Sequence, residues 1–297
     1  MATDGIGAAL PRLEDARLLT GQGCYSDDFV LPNQAYGFVL RSPHAHARIV
    51  AIDTAAARKL PGVHAVLTGV DVVADGLQPI PHAPVALSPP DIKLPNIDGS
   101  PPLIVRPAVL AIDTVRHVGE PVAFVVADTM ALAKYAAEAI DVAYEMLPPI
   151  ADVAVDALVG DAAATEQGFA KATHVVRIET DIQRVAGVPM EPRAALGDYD
   201  AASGRYTLRA GAGAIVRPKR ELAAVLGIEP EHVRVIARDI GGNFGTRNGF
   251  FPEFALVCWA ARRVGRPVKW SGDRSEAFLS DYAGRDFYIE SELALDA

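Results

Sequence analysis

The chain has 297 residues, half of them hydrophobic and 22% charged, which suits a globular protein with room for two domains and real cores. Its formal charge is 28 − 37 = −9, so it lacks the basic face that nucleic-acid binding requires. The N-terminus carries early acidic residues and no long apolar run, and apolar stretches elsewhere are strand-sized, well short of the ~20 residues of a membrane span. The expectation is a cytoplasmic protein with no membrane or nucleic-acid partner.

In chain order, residues 35–43 and 47–53 read as strands, followed by a short helix in DTAAARKLPG and a strand at 63–69. Residues 75–107 are crowded with proline and lack periodicity, which predicts a long surface loop. EPVAFVVAD (120–128) is an apolar strand. Thr129 is placed to cap a helix whose Leu132, Tyr135, Ala136 and Ala139 share one face, and DVAYEML closes this half as a strand. Near residues 147–160 a small-residue, acidic passage running through ADVAVDALVGDAAATEQG reads as a connection between two halves.

The second half opens with an extended segment at 174–185, then a loop, GVPMEPR, and the short strands AALGDYD and RYTLRAG. A helix at 217–226 stops at Gly227, and 232–240 reads as a strand running into GGNFGTRNGF. Pro252 and Glu253 suit the first turn of a helix over 252–264, with Phe254, Val257, Ala261 and Val264 along one face and Gly265 after its end. The terminal DFYIESELALD is an amphipathic strand, for which the partner strand is expected from another polypeptide or from sequence beyond a truncation. Mixed strands and helices in this order predict an α+β fold.

Cys24 and Cys258 are the only cysteines, too few for an iron–sulfur cluster, which needs about four thiolates, and not in a CxxC zinc pattern. Cys258 sits in an apolar helix and reads as core filler. Any redox chemistry here passes its electrons to a group held elsewhere. His44 and His46 lie on one face of an extended segment, but no third metal ligand stands out.

Three segments can carry chemistry. RDIGGNFGTRN (238–248) joins a strand to a helix through glycines that expose backbone N–H groups, so it can cradle an anionic or oxo group; it matches neither GxGxxG nor a P-loop. A tight structural connection is the other reading of such a loop. PMEPR (189–193) presents Glu191 between two prolines beside Arg193, either as a site element or as a buried ion pair. GRPVKWSGDR (265–274) reads as structural.

Taken together and in order, RLEDARLLTGQGCYSDDF (12–29), SPHAHARI, VRHVGEPVAFVVAD (115–128), GVPMEPRAALGDYD (187–200), RDIGGNFGTRN and GRPVKWSGDRSEAF (265–278) resemble the molybdopterin-binding subunit of the xanthine dehydrogenase, aldehyde oxidase and carbon monoxide dehydrogenase family. The resemblance runs from about residue 12 to the end. It implies an N-terminal extension at 1–18, an α/β-hammerhead domain at 19–150, and at 151–297 the first molybdopterin-binding domain of that fold, in whole or in part.

The function implied is part of a large subunit holding a molybdenum–pyranopterin cofactor, as molybdopterin or its cytosine dinucleotide. Such a subunit hydroxylates an aldehyde or N-heterocycle with water-derived oxygen and passes electrons to [2Fe-2S] and FAD groups on partner subunits. By position, Gly241, Gly242, Phe244 and Gly245 would offer main-chain N–H donors to the cofactor, with the Phe244 main chain near the molybdenum oxo group. Met190, Glu191 and Arg193 would line the neighbouring wall, and Arg247 and Asn248 the substrate pocket.

The chain also departs from the family pattern. Family subunits are considerably longer, and their general-base glutamate has no equivalent here, so no catalytic residue is assigned. Val185 stands where some members place a glutamine, and Arg247–Asn248 argues against purine selectivity. A second molybdopterin-binding polypeptide is therefore the expected partner, beside the iron–sulfur and FAD subunits and a small-molecule substrate. A carbon monoxide dehydrogenase-type large subunit and a non-catalytic or truncated assembly subunit are the alternatives. The isolated chain is expected to behave poorly, through exposed strand edge and apolar surface.

Overall fold

The computed structural model describes residues 7, 9–82, 96–101, 104–149 and 159–296. The first half carries helix α1 (Asp15–Leu19), strands β1 (Ala35–Arg41) and β2 (Ala47–Asp53), helix α2 (Ala55–Arg58), strand β3 (Val63–Thr68) and helix α3 (Gly69–Ala74). Strands β4 (Thr114–Val115) and β5 (Pro121–Ala127), helix α4 (Met130–Glu138) and strand β6 (Asp141–Met146) complete it. Helix α5 (Ala162–Lys171) leads to strands β7 (His174–Ile182), β8 (Val185–Ala186), β9 (Ala194–Asp200) and β10 (Arg205–Ala210), then helix α6 (Val216–Leu226) and strand β11 (Val233–Ile236). Helix α7 (Pro252–Val264), strand β12 (Val268–Ser271), helix α8 (Arg274–Ser280) and strands β13 (Ala283–Gly284) and β14 (Phe287–Leu295) end the chain.

One mixed sheet, in the order β11-β10-β9-β12-β1-β5-β3, takes strands from both halves. The seam is the parallel pair β1–β12, with Ala35 opposite Val268 and Tyr36 opposite Lys269. Every residue of β5 is buried, as its unbroken apolar run predicts for an interior strand covered on both faces. A smaller sheet, β4-β2-β6, flanks the first half.

Helix α4 begins where expected: the Thr129 side chain accepts a hydrogen bond from Leu132 N. Ala133, Ala136 and Ala137 are buried, and the expected Leu132 and Ala139 pack partly buried against the same core, whereas Tyr135 is exposed. Helix α7 has the expected bounds, but residues Glu253 through Ala261 are all buried, not one face alone. It lies against β9, where a Cβ on Gly197 would come within 2.4 Å of the Val257 backbone, and α6 packs on it as well. That closeness requires glycine.

Several expectations need correction. Residues 162–171 form a helix with no fully buried residue, capped by Asp161, where a plain connection was expected. The strand expected over 232–240 ends at Ile236, and the extended segment at 174–185 breaks between β7 and β8. The terminal strand finds its partner inside the chain: β14 pairs with β7 from Phe287↔Ile182 to Leu295↔His174. Much of the proline-rich stretch (83–95, 102–103) and residues 150–158, which include the expected domain boundary, lie outside the described residues.

Candidate functional site

The strand β11 delivers the chain to the glycine loop at 237–245, and Asp239 pins the approach. Its carboxylate accepts two hydrogen bonds from Arg17, at 2.6 and 2.5 Å, and one from Cys24 N at 2.8 Å. The Arg17 hydrogen bond is the main reason the Asp239 carboxyl is held near about 2. The segment around α1 is thereby strapped to the entrance of the loop.

Glu191 then grips the loop from the side. Its Oε2 accepts from Gly241 N at 2.6 Å, while Oε1 accepts from Ser26 N at 2.8 Å and Ser26 Oγ at 2.5 Å. The backbone returns the contact, Glu191 N donating to Gly241 O at 3.2 Å. Arg247, buried, donates to Glu191 O at 2.6 Å, and Arg274 donates to the carbonyls of Pro189 and Met190 at 2.8 Å each. The turn at 189–191 and the glycine loop are thus one braced unit.

Within the loop, Gly242 has φ +122 and Phe244 φ +50, positive values of the kind found in backbone loops that bind anions through their N–H groups. Gly241 N is taken by Glu191, and Gly245 N by Asn243 Oδ1 at 2.9 Å. Among the described residues, Gly242, Asn243 and Phe244 have no hydrogen-bond acceptor for their backbone N–H groups. The open donors are therefore these three and not the four expected. Above them the Phe244 ring is 75% exposed and the Met190 side chain 87% exposed, so the cradle stands open on that side.

The other expected residues go elsewhere. Arg193 does not pair with Glu191, although both flank Pro192. Its guanidinium is buried, bound to Glu253 at 2.6 Å, Asp281 at 2.6 Å and Ser280 Oγ at 2.5 Å, and stacked 3.9 Å from the Phe251 ring centroid. Glu253, 0% exposed, also binds Arg41 at 2.5 Å. Burial opposes its charge, but the guanidiniums of Arg193 and Arg41 outweigh that cost and hold the carboxyl near about 2. Arg193 thus belongs to a structural ion cluster that joins the two halves, not to the cradle wall. Asn248 is exposed and accepts from Asn243 Nδ2 at 3.0 Å, bracing the loop. His44 packs against Tyr144 and His46 reaches Pro148 O, so the two rings serve different contacts.

Ser26, Asn243 and Arg274 escaped the sequence reading. Ser26 lies in a quoted motif, but its partner Glu191 is 165 residues away. A cavity of about 390 Å³ between residues 117–121 and 279–283 shares no lining residue with the cradle; Arg41, Glu253 and Asp281 form part of its wall.

Two family models match the chain that carries this sheet and this loop. Residues 20–148 match the aldehyde oxidase and xanthine dehydrogenase a/b hammerhead domain, and residues 149–297 match the molybdopterin cofactor-binding domain. The chain belongs to the xanthine dehydrogenase, aldehyde oxidase and carbon monoxide dehydrogenase family of molybdenum hydroxylases.

It is 36% identical to the 6-hydroxypseudooxynicotine dehydrogenase complex subunit gamma of Paenarthrobacter nicotinovorans, over 98% of this chain and 37% of that protein. Quinoline 2-oxidoreductase of Pseudomonas putida 86 superposes with a TM-score of 0.81 at 34% identity, covering 97% of this chain and 37% of that one. Carbon monoxide dehydrogenase of Oligotropha carboxidovorans gives 0.84 at 31% identity, covering 98% and 38%. The chain therefore spans little more than a third of the length of the relatives it matches. Among the described residues, no helix is long and apolar enough to cross a membrane.

Proposed function

We propose that this chain supplies the hammerhead portion, residues 19–150, and the glycine-loop portion, residues 151–297, of a molybdenum subunit that hydroxylates an N-heterocycle or aldehyde with water-derived oxygen. The observation that carries this reading is the row of unpartnered N–H groups at Gly242, Asn243 and Phe244, in a segment that matches a molybdopterin cofactor-binding model. Such a row fits an anionic or oxo group, because several aligned donors share one charge without a side chain to neutralise it. The molybdenum–pyranopterin, when bound, supplies the two-electron redox chemistry.

The chain's own residues would do the positioning. Gly242 and Phe244 would direct donors at the cofactor, and Gly241 would keep the loop seated on Glu191. Gly245, whose N–H closes on Asn243, would shape the far end of the cradle. Met190 and the Phe244 ring would line the open side of the cradle, with Arg247 and Asn248 bracing the pocket side. An N-heterocycle is the favoured substrate class, since the nicotine-derived and quinoline enzymes are among its relatives. Purified relative to a carbon monoxide dehydrogenase-type subunit, that preference is tested by assaying heterocycles and carbon monoxide side by side.

Among the described residues, no carboxylate beside the loop stands free to act as general base. Glu191 spends both oxygens on Ser26 and Gly241, and Asp239 is held by Arg17, so neither carboxylate beside the loop is free. A second molybdopterin-binding polypeptide would complete the site, with [2Fe-2S] and FAD subunits taking the electrons. The unpaired thiols Cys24 and Cys258 support a reducing cytoplasmic setting. The test is to tag the chain in its native host and measure molybdenum and co-purifying subunits. About one molybdenum per chain with flavin and iron–sulfur subunits supports the reading, and a metal-free lone chain overturns it.

A further inference from the structure

The three open donors of the cradle differ in what lies at the other end of their peptide groups. Each backbone N–H is conjugated with the preceding carbonyl, so a hydrogen bond accepted by that oxygen draws charge across the planar amide and strengthens the N–H as a donor. The peptide that carries the Gly242 N–H has the Gly241 carbonyl, which accepts from Glu191 N at 3.2 Å. The peptide that carries the Phe244 N–H has the Asn243 carbonyl, which accepts twice, from Thr246 N at 3.0 Å and from Thr246 Oγ1 at 2.9 Å. Between them, the Gly242 carbonyl behind the Asn243 N–H accepts no bond among the described residues. Phe244 therefore presents the most polarised of the three donors.

Thr246 is committed to this contact. It is 7% exposed, and a buried hydroxyl needs a partner, which the Asn243 carbonyl supplies. Its methyl is seated against Gly187, where a Cβ would come within 2.6 Å of Thr246 Cγ2 and 3.4 Å of Phe244 Cβ. Glycine at 187 thus leaves the room that the threonine side chain fills. Asn243 bonds through its side chain to Gly245 and Asn248, and through its carbonyl to Thr246 alone among the described residues.

We propose that Thr246 is a positioning residue of the cradle, whose hydroxyl strengthens the Phe244 N–H as a donor to an anionic or oxo group of the bound cofactor. Two bonds from one residue lock the Asn243 carbonyl, and with it the plane of the peptide that carries the Phe244 N–H. A donor fixed and polarised before its acceptor arrives needs no reorganisation when the acceptor binds. The inference rests on the functional reading above, of which it names a residue that tunes the cradle.

The test compares the parent, Thr246→Val and Thr246→Ser in the full chain expressed in its native host, with whatever subunits accompany it. Valine keeps the methyl against Gly187 and the backbone donor to Asn243, and replaces only the hydroxyl; serine restores the hydroxyl. Amide exchange is read residue by residue on protein from cells grown without molybdate, at a pH where hydroxide removes the proton. Removal of the Phe244 proton leaves a negative imidate oxygen at Asn243, which the Thr246 hydroxyl stabilises. The Val variant should therefore exchange the Phe244 amide about tenfold more slowly, and the Ser variant at the parent's rate, with the Asn243 amide unchanged in both. A loosened loop would quicken exchange, so a merely structural role has the opposite sign. A Phe244 amide that is protected in the parent, or unchanged or faster in the Val variant, overturns the proposal. On protein from cells grown with molybdate, the Val variant should retain about two- to fourfold less molybdenum per chain after dialysis, with Ser again restoring it. Equal retention in the parent and the Val variant overturns the role toward the cofactor. Molybdenum absent from the parent as well sinks the functional reading, while the slowed exchange would still establish the Thr246 effect on Phe244.

Discussion

Glu191 and Gly241 hold each other twice: Glu191 N donates to the Gly241 carbonyl at 3.2 Å, and Gly241 N donates to Glu191 Oε2 at 2.6 Å. A side chain that looks like a cofactor ligand in the sequence is therefore a strut that sets where the loop begins. Glu191→Ala removes one loop anchor and the acceptor for Ser26. Amide exchange at Gly241 and Ser26, the two backbone donors to the Glu191 carboxylate, should quicken at least tenfold, with a stability loss of about 1–3 kcal/mol, the usual cost of orphaned donors. Glu191→Gln keeps one oxygen acceptor and should fall between. Unchanged exchange in the Ala variant would refute the strut.

Gly242 holds φ +122, and a Cβ there would sit 3.0 Å from the Pro189 Cβ. Gly242→Ala should cost about 1–3 kcal/mol of local strain and displace the open N–H groups of 242–244. The expected result is a loss of most bound molybdenum from the assembled subunit, with a thermal midpoint shift of only a few degrees. Full molybdenum content would mean that the loop does not form the cradle.

Glu253 links stability to acid. Its carboxyl is held at about 2, below the ordinary 4.5 of a glutamate, so between those values the unfolded chain binds the proton and the native state does not. Its contribution is present above about 4.5 and is lost as pH falls toward 2, an effect of order ~3 kcal/mol. Urea midpoints should therefore drop over that window. Glu253→Gln should be destabilised at neutral pH by about 3–5 kcal/mol, because it leaves two buried guanidiniums short of an anion, and should flatten the acid limb. An acid limb as steep as that of the parent chain would assign the titration to another group.

The two thiols should differ sharply. Cys258 is 0% exposed and burial pushes its pKa up, whereas Cys24 is half-buried at the strap beside Asp239. A disulfide reagent should modify one thiol in the native chain, at Cys24, and reach the second only on unfolding. Two fast thiols would mean that α7 is not packed as described.

Much of the architecture was legible in the residues. The unbroken apolar run of β5, the Thr129 cap of α4, and the Pro252 start and Gly265 stop of α7 are local signals, and each element appears at those bounds. Local signals fail where packing decides. The α4 pattern marked Tyr135 as inward, but the fully buried positions of the helix are Ala133, Ala136 and Ala137 and Tyr135 is exposed. Helix α7 carries a striped pattern, yet it is enclosed on all sides and its first-turn Glu253 is a buried ion hub.

The sequence by itself determined the alternation of strands and helices, the glycine loop after a strand, and the absence of enough thiolates for an iron–sulfur cluster, because those depend on neighbours along the chain and on composition. Only the tertiary structure decided what the polar residues do. Glu191 and Arg193 are separated by one proline, yet one turns to Ser26 and Gly241 and the other to Glu253 and Asp281. Their partners lie 50 to 165 residues away in the chain. Spacing cannot specify such pairings, since buried charges and donors are satisfied by whatever the fold brings within about 3 Å.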